Sequence, residues 1–350
     1  MSTHRFLVMA GAAALGLLLV APLVADEEMD HSAHQAAGGH GGHDMTADEV
    51  ALLRKKIPLY AGFTDAQIHE NMSRMMPDSE AYLSPPGVRD AIGVLGLGHG
   101  YAGDGNDQFK AGYAAVAAVH PTAVGLGMSM MDSAHVQKAV DQLEAAGATT
   151  IVVLPSETSE TSSLVRQWHY MFGLTDNSGY LEVPRVRTKA RVVMASSPTR
   201  SPIIGRILGE NLRTASREPA REAALLVMHG PEKKEENDDE LRNLAKLAAV
   251  AREVSGISEV FYGSLQDDAP PDVRAANVAA MRDWIAKATA AGKTVLLEPV
   301  LLTAGGRVSQ KIRKDFDGLQ YTFVDRGMIG HPLFAEWVQQ TVAEKSRPAG

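Results

Sequence analysis

The chain has 350 residues, 45% of them hydrophobic and 22% charged, which is enough apolar material for two domains of ordinary size, each with its own core. Its formal net charge is −8 with no broad basic excess, which argues against nucleic acid as the main partner. It contains no cysteine, so disulfides, thiolate metal sites and thiol nucleophiles are excluded. Any metal must be held by imidazole, carboxylate, thioether or backbone oxygen.

The chain begins as an export signal. His4 and Arg5 precede an apolar run over residues 6–24, and Leu23-Val24-Ala25 stands before the acidic Asp26-Glu27-Glu28, so residues 1–25 read as a signal peptide cleaved after Ala25. The alternative is an uncleaved membrane anchor, since the run is about as long as a short transmembrane helix. Either reading puts the rest of the chain outside the cytoplasm, periplasmic or extracellular. Residues 26–44 are flexible and rich in glycine and histidine, with His31, His34, His40 and His43 placed to wrap a divalent ion such as Zn, Ni, Co or Cu. The plainer alternative is a solvated linker.

A helical region fills 45–90. Thr46 with Glu49 and Thr64 with Gln67 have capping-box spacing, and helix is expected over 46–77. Met72, Met75 and Met76 fall at helical spacing there. Beside a His-rich segment they raise a copper reading, although core filling is the commoner role of such methionines. Ser84-Pro85-Pro86-Gly87 then breaks the chain ahead of the first globular unit.

From residue 91 the same α/β unit occurs twice. The first copy opens Ala91-Ile92-Gly93-Val94-Leu95-Gly96-Leu97-Gly98-His99-Gly100, and the second opens Ala223-Ala224-Leu225-Leu226-Val227-Met228-His229-Gly230. Each apolar run reads as a buried parallel strand. Each is followed by a polar loop and a helix (106–118 and 238–254), a second strand (122–128 and 259–265), a second helix ending at glycine (132–146 and 271–291) and a third strand (149–155 and 293–299). Residues 183–193 look β-like, and 202–214 should form a helix completing the first lobe. The expected fold is therefore α/β, with two similar lobes over 91–218 and 219–340, each a mostly parallel sheet with helices on both faces, and a tail over 341–350.

Ligands of such sheets bind beyond the carboxyl ends of the strands, where His99 and His229 should both sit. A neutral imidazole there can ligate a metal or accept a proton, whereas a lone histidine at a strand end more often only caps it. Two in matching repeat positions favour function. The third strand of the second copy runs into Leu297-Glu298-Pro299-Val300-Leu301-Leu302-Thr303-Ala304-Gly305-Gly306-Arg307. Gly305 and Gly306 free backbone N–H groups near the cleft, and Arg307, Lys311, Arg313 and Lys314 form a basic run suited to a polycarboxylated ligand, or else a solvated helix face. The first copy has lost both the Gly-Gly and the cation. There is no phosphate-binding loop and no serine elbow.

A strand ending in His-Gly, an acidic loop and helix, then a strand running through Pro to a Leu-Leu-x-x-Gly-Gly turn resembles the class II chelatases, the CbiX and SirB type sirohydrochlorin cobalt- or ferrochelatases. The resemblance is strongest over 223–340, which also contains Gly330-His331-Pro332-Leu333, and weaker over 91–172. It implies a two-lobed fold with a cleft for a tetrapyrrole and a divalent metal (Co, Fe, Ni or Zn). His229 and His99 would be metal ligands or bases, Glu298 would assist, and Gly305, Gly306, Arg307 and Lys311 would meet the substrate. The family usually has a second active-site histidine after the Gly-Gly turn, where this chain has Arg307. The resemblance thus implies an exported metal chelatase. The alternative is a non-catalytic extracytoplasmic carrier of metal or tetrapyrrole.

Overall fold

In the computed structural model, residues 45–347 are described, apart from 74 and 76. The export signal, the His-rich segment and Met76 lie outside the described residues. The capping boxes form as their spacing predicts. Thr46 and Glu49 exchange side chain-to-backbone hydrogen bonds at the start of helix α1 (Ala47–Lys56), and Thr64 and Gln67 do the same before α2 (Asp65–Ser73). The expected continuous helix is interrupted, because Pro58 opens a 3-10 turn, Pro58–Gly62, between the two. Both helices bury their apolar side, including Leu53 and Ile68, in the core of the first lobe.

The first lobe contains strands β1 (Ser79–Tyr82), β2 (Ile92–Gly98), β3 (Thr122–Leu126), β4 (Thr150–Pro155) and β5 (Arg191–Met194). Its helices are α3 (Gly105–Gly112), α4 (Ala114–Ala117), α5 (Ala134–Ala145) and α6 (Ser163–Met171), and α7 (Pro202–Ala215) follows. The second lobe contains β6 (Glu222–Met228), α8 (Lys234–Ser255), β7 (Glu259–Ser264), α9 (Pro271–Ala290), β8 (Thr294–Val300), α10 (Arg307–Asp315), β9 (Thr322–Phe323) and α11 (Pro332–Lys345). Among the described residues no helix is long and apolar enough to cross a membrane.

The sheets run β1-β3-β2-β4-β5 and β7-β6-β8-β9. Every neighbouring pair is parallel except β1, which joins β3 antiparallel. Without β1 the two sheets have the same order, as a duplicated unit requires. Residues 183–190 do not form the expected strand. Pro184 cannot donate to a ladder, and this stretch is held instead by side chains of the helix beside it. Arg187 exchanges bonds of 2.7 and 2.9 Å with the Gln137 amide, and the Pro184 carbonyl accepts from Ser133 Oγ at 2.6 Å.

The lobes exchange helices. α7, expected to complete the first lobe, packs along α8 and onto β8 of the second. Its two glycines allow this approach: a Cβ on Gly205 would lie 2.8 Å from Val250 Cβ, and one on Gly209 would lie 2.6 Å from Val254 Cβ. α11 crosses back to pack on α3 and α4, where Phe334 fills the space left by Gly112. One hydrophobic cluster consequently runs through both lobes, from Phe109 and Tyr113 to Leu208, Leu247 and Phe334.

Candidate functional site

In each sheet the first strand of the repeat lies between its second and third, so the connections leave it in opposite directions. This is the switch point at which open α/β sheets leave a crevice. His99 and His229 stand there, just past β2 and β6. The glycine after each has positive φ, +84° at Gly100 and +73° at Gly230, a region that favours glycine. At Gly230 the need is also steric, since a Cβ would lie 1.8 Å from Ser264 Oγ.

Both histidines line one cavity of about 550 Å³ between the lobes, within the usual size range for small-molecule sites. Gly306, Arg307 and Lys311 line the same cavity. Two expected site residues do not. The Gly305 N–H donates to Asp325 Oδ1 at 3.1 Å, away from the cavity. Glu298 is fully enclosed within the second lobe. Its register partner is Leu226, two residues short of the end of β6, and its Oε1 accepts from Asn211 Nδ2 of α7 at 3.0 Å. Burial pushes the Glu298 carboxyl well above the usual range, against a smaller pull from Asn211 and Arg326. Alternate residues of a strand face opposite sides, and this one faces the helix layer. His31, His34, His40 and His43 lie outside the described residues.

His229 is the most elaborated of these groups. Its Nδ1–H donates to the Gly230 carbonyl at 3.1 Å, which turns Nε2 toward Asp267 (3.6 Å) and Asp268 (3.9 Å). Burial disfavours the imidazolium, but Asp268, Asp267 and Glu157 outweigh it and raise the histidine above its ordinary value. The two aspartates are driven apart. Burial would raise Asp267, but His229, Lys311 (Nζ at 2.9 Å) and Arg274 (Nε at 2.5 Å) hold it low as a fixed carboxylate. Asp268 lacks the direct Lys311 and Arg274 bonds of its neighbour and remains 49% exposed. Its place in the cleft raises its carboxyl, helped by Asp267 and Glu232 and opposed by His229 and Lys311. Neighbouring carboxyls with separated proton affinities are the usual basis for dividing acid and base roles.

The basic run divides as well. Lys311 is engaged with Asp267, while Arg313 pairs with Asp325 at 3.0 Å and stacks 3.7 Å above the Phe323 ring. His99 is simpler than His229. Its ring lies 4.4 Å from that of Tyr101, and its nitrogens make no hydrogen bond or ion pair among the described residues. The same cavity is also lined by Met75, Met128 and Met130, with Tyr60 and Leu59 from the N-terminal region. That region also touches the other lobe, where Leu59 N–H donates to the Asp268 carbonyl at 3.1 Å.

The sequence reading missed Asp267 and Asp268. Their signal was a tandem of aspartates at the end of the second strand of the better-equipped repeat, where the sheet topology brings loops together. It also missed the wall formed by residues 57–75. Among the described residues no group of three or more His, Asp and Glu side chains is arranged to hold a metal ion.

No family model and no curated protein matches the chain. Among solved structures it is similar to SirB from Bacillus subtilis, solved with Fe3+, at 14% identity and a TM-score of 0.54, over 73% of this chain and 96% of that one. It is also similar to CbiX, the terminal enzyme of siroheme biosynthesis in denitrifying bacteria, at 14% identity, 73% and 100% coverage and a TM-score of 0.45. A third is DR2241 from Deinococcus radiodurans, a multi-domain protein with similarity to chelatases, at 16% identity, 74% and 56% coverage and a TM-score of 0.46. The fold of this chain is chelatase-like.

Proposed function

We propose that the chain acts outside the cytoplasm on a tetrapyrrole of the sirohydrochlorin type, inserting a divalent metal such as Co, Fe or Ni. The observation that carries this reading is His229 bracketed by Asp267 and Asp268, in a cavity of about 550 Å³ at the switch point of a chelatase-like fold. Metallation exchanges two pyrrole N–H protons for one metal ion and sheds the water of that ion. His229 and Asp268 are the ligands that would receive the ion as substrate. As the ion leaves for the macrocycle, the two freed groups, the Asp268 carboxylate and the His229 imidazole, would each take one of the two pyrrole protons. Asp267 would orient His229, itself fixed by Arg274 and Lys311. Arg307 at the cavity wall would meet the peripheral carboxylates of the macrocycle. A site with two protein ligands among the described residues suits an ion in transit better than a resident one.

That same sparse ligand set, with Arg307 after the Gly-Gly turn, supports a second reading as a carrier that binds without turnover. Excess sirohydrochlorin and Co(II) mixed with the protein, followed by visible absorption, separates the two. Many turnovers per chain, abolished in His229→Ala and slowed about a hundredfold or more in Asp268→Asn, support the enzyme. A single stoichiometric change, or none, defeats it. The His-rich segment would hold additional metal: deleting residues 30–44 should lower the number of ions bound in calorimetry, and an unchanged number would leave the segment a linker.

A further inference from the structure

The two ends of the cleft differ in chemistry. The duplication shows the difference position by position. At the end of the second strand of each repeat, Gly127 N–H donates to Gly98 O and Leu265 N–H donates to Met228 O, so these two residues correspond. Counting onward, Met130 stands where the second lobe has Asp268, and Ser129 stands where it has Asp267. On this count one of the two carboxylates around His229, that of Asp268, is replaced in the first lobe by a thioether.

Three methionines reach this end from two separate segments. Met128 and Met130 come from the β3–α5 loop, and Met75 comes from the chain after α2. The loop presents the first two together because it is fastened from behind. Between them Ser129 adopts φ +50° and turns its side chain away from the cleft, where Oγ lies 3.3 Å from His135 Nε2 in the buried interior. Its carbonyl accepts from Gln167 Nε2 at 2.9 Å, and His135 Nδ1 lies 3.3 Å from Asp78. Met128 and Met130, on either side of this anchor, both line the cavity, while the polar network behind them takes no part in lining it.

We propose that Met75, Met128, Met130 and His99 form a binding site for a soft monovalent metal ion, copper(I), at the first-lobe end of the cleft. Thioethers select Cu(I) among biological metals, and in a chain without cysteine they are the softest ligands available. All four side chains can bind as neutral ligands. Such a set suits an ion of single charge, whereas a divalent ion is better served by the carboxylates at His229. Two carboxylates of the cavity wall each have one oxygen engaged: Glu157 accepts from the Thr158 N–H, and Glu232 accepts from Ser163 Oγ. The imidazole of His99 is not committed to any hydrogen bond among the described residues, unlike that of His229. The site does not depend on the metallation reading, and it stands or falls on binding alone.

The test is an anaerobic Cu(I) titration of the full chain against bathocuproine disulfonate, comparing the wild type with the triple variant Met75→Leu, Met128→Leu, Met130→Leu. Leucine keeps the apolar volume, and a melting curve confirms that the fold is retained. The wild type should withdraw one more Cu(I) equivalent from the chelator than the variant, or hold it about tenfold or more tightly. X-ray absorption should show sulfur around that copper in the wild type alone. Equal uptake and affinity in wild type and triple variant, or an absence of sulfur neighbours, would each overturn the assignment.

Discussion

Glu298 offers a direct test of how the second lobe is assembled, because the family resemblance gives it a part in the chemistry and the structure gives it a place in the core. Its carboxyl is fully buried, with Oε1 on Asn211 and Oε2 without a partner. In the first lobe the matching position is Leu154, as the pairing of Gly96 with Leu154 and of Leu226 with Glu298 shows. An apolar side chain therefore satisfies this layer of the fold. Asn211→Leu leaves both carboxyl oxygens of Glu298 unpaired and should cost about 1–3 kcal/mol. Adding Glu298→Leu removes the stranded group and should recover most of that loss, since replacing both partners is close to neutral. At about 2–4 °C per kcal/mol the effect is readable in thermal melts. The pH dependence has a definite sign. Unfolded, the carboxyl titrates near 4.5; folded, it titrates well above that. Between the two the folded state holds the extra proton, so stability falls as pH rises through that window and is flat below it. Glu298→Gln removes this slope, and its advantage over wild type should widen from pH 4.5 to pH 8. A double variant no more stable than Asn211→Leu, or a pH-independent difference for Glu298→Gln, refutes the reasoning. Loss of metallation in a folded Glu298→Gln would show instead that the carboxyl reaches the cleft.

Other consequences follow from the same contacts. Gly209→Val, which places new methyls against Val254 and the Ala251 carbonyl, should lower stability by about 1–3 kcal/mol in urea titration, and a neutral result would deny the close packing of α7 on α8. Asp78 is raised to about 6, mainly by burial and further by Asp132, while burial lowers His135 to about 4 against Asp132 and Glu80. The first shift favours the fold as pH falls from 6 toward 4, and the second weakens it as pH falls from 6.5 toward 4, so the two oppose. Asp78→Asn should expose the acid-side loss and His135→Gln the opposite slope, and parallel pH–stability curves for the two variants would contradict the pairing. Thr46→Ala removes one half of an exposed capping box and should cost about 1 kcal/mol, read as earlier hydrogen exchange in α1 than in α5. An unchanged exchange pattern would mean that the first turn is held by other contacts.

What the sequence made legible was whatever depends on local pattern. Uninterrupted apolar runs such as Leu225-Leu226-Val227 became central parallel strands, Gly147 and Gly292 follow the helices they were expected to end, and Thr46 and Thr64 built the boxes their spacing predicts. The His-Gly pairs marked the cleft because positive φ and a strand end are both local properties. What stayed hidden depends on which surfaces meet. Helix 202–215 carries a strong apolar face but no statement of which sheet it covers, and only the Gly205–Gly209 spacing hints at a close helix neighbour. Glu298 looked chemical because it lies in a motif, yet strand alternation turns it toward α7. Asp267 and Asp268 looked like loop residues, and only the sheet order brings them under His229. Strand β1 is four residues long without alternation, and nothing short of its pairing with β3 identifies it.

The exchange of helices bears on how the cleft can work. Because α7 belongs by sequence to one lobe and packs in the other, and α11 does the reverse, the two helices tie the lobes together, and opening them as rigid jaws would disturb the packing they share. A single hydrophobic cluster runs through both lobes, and burial on that scale resists separation. Access to His229 and His99 is more cheaply changed at the wall made by residues 57–75. That wall meets the second lobe through the Leu59–Asp268 backbone bond, and it is fastened to the first by the Lys56 ammonium on Ser178 and by the burial of Ile57, Tyr60 and Ile68 in that lobe's core. The backbone hydrogen bond to the second lobe is worth about 1 kcal/mol net, against many times that for the shared core. The cleft floor, with its two histidines, is thus the rigid part, and the seam between the N-terminal wall and the second lobe is the part whose opening costs least. A macrocycle that enters between His99 and His229 would do so by parting Leu59 from Asp268, not by parting the shared core.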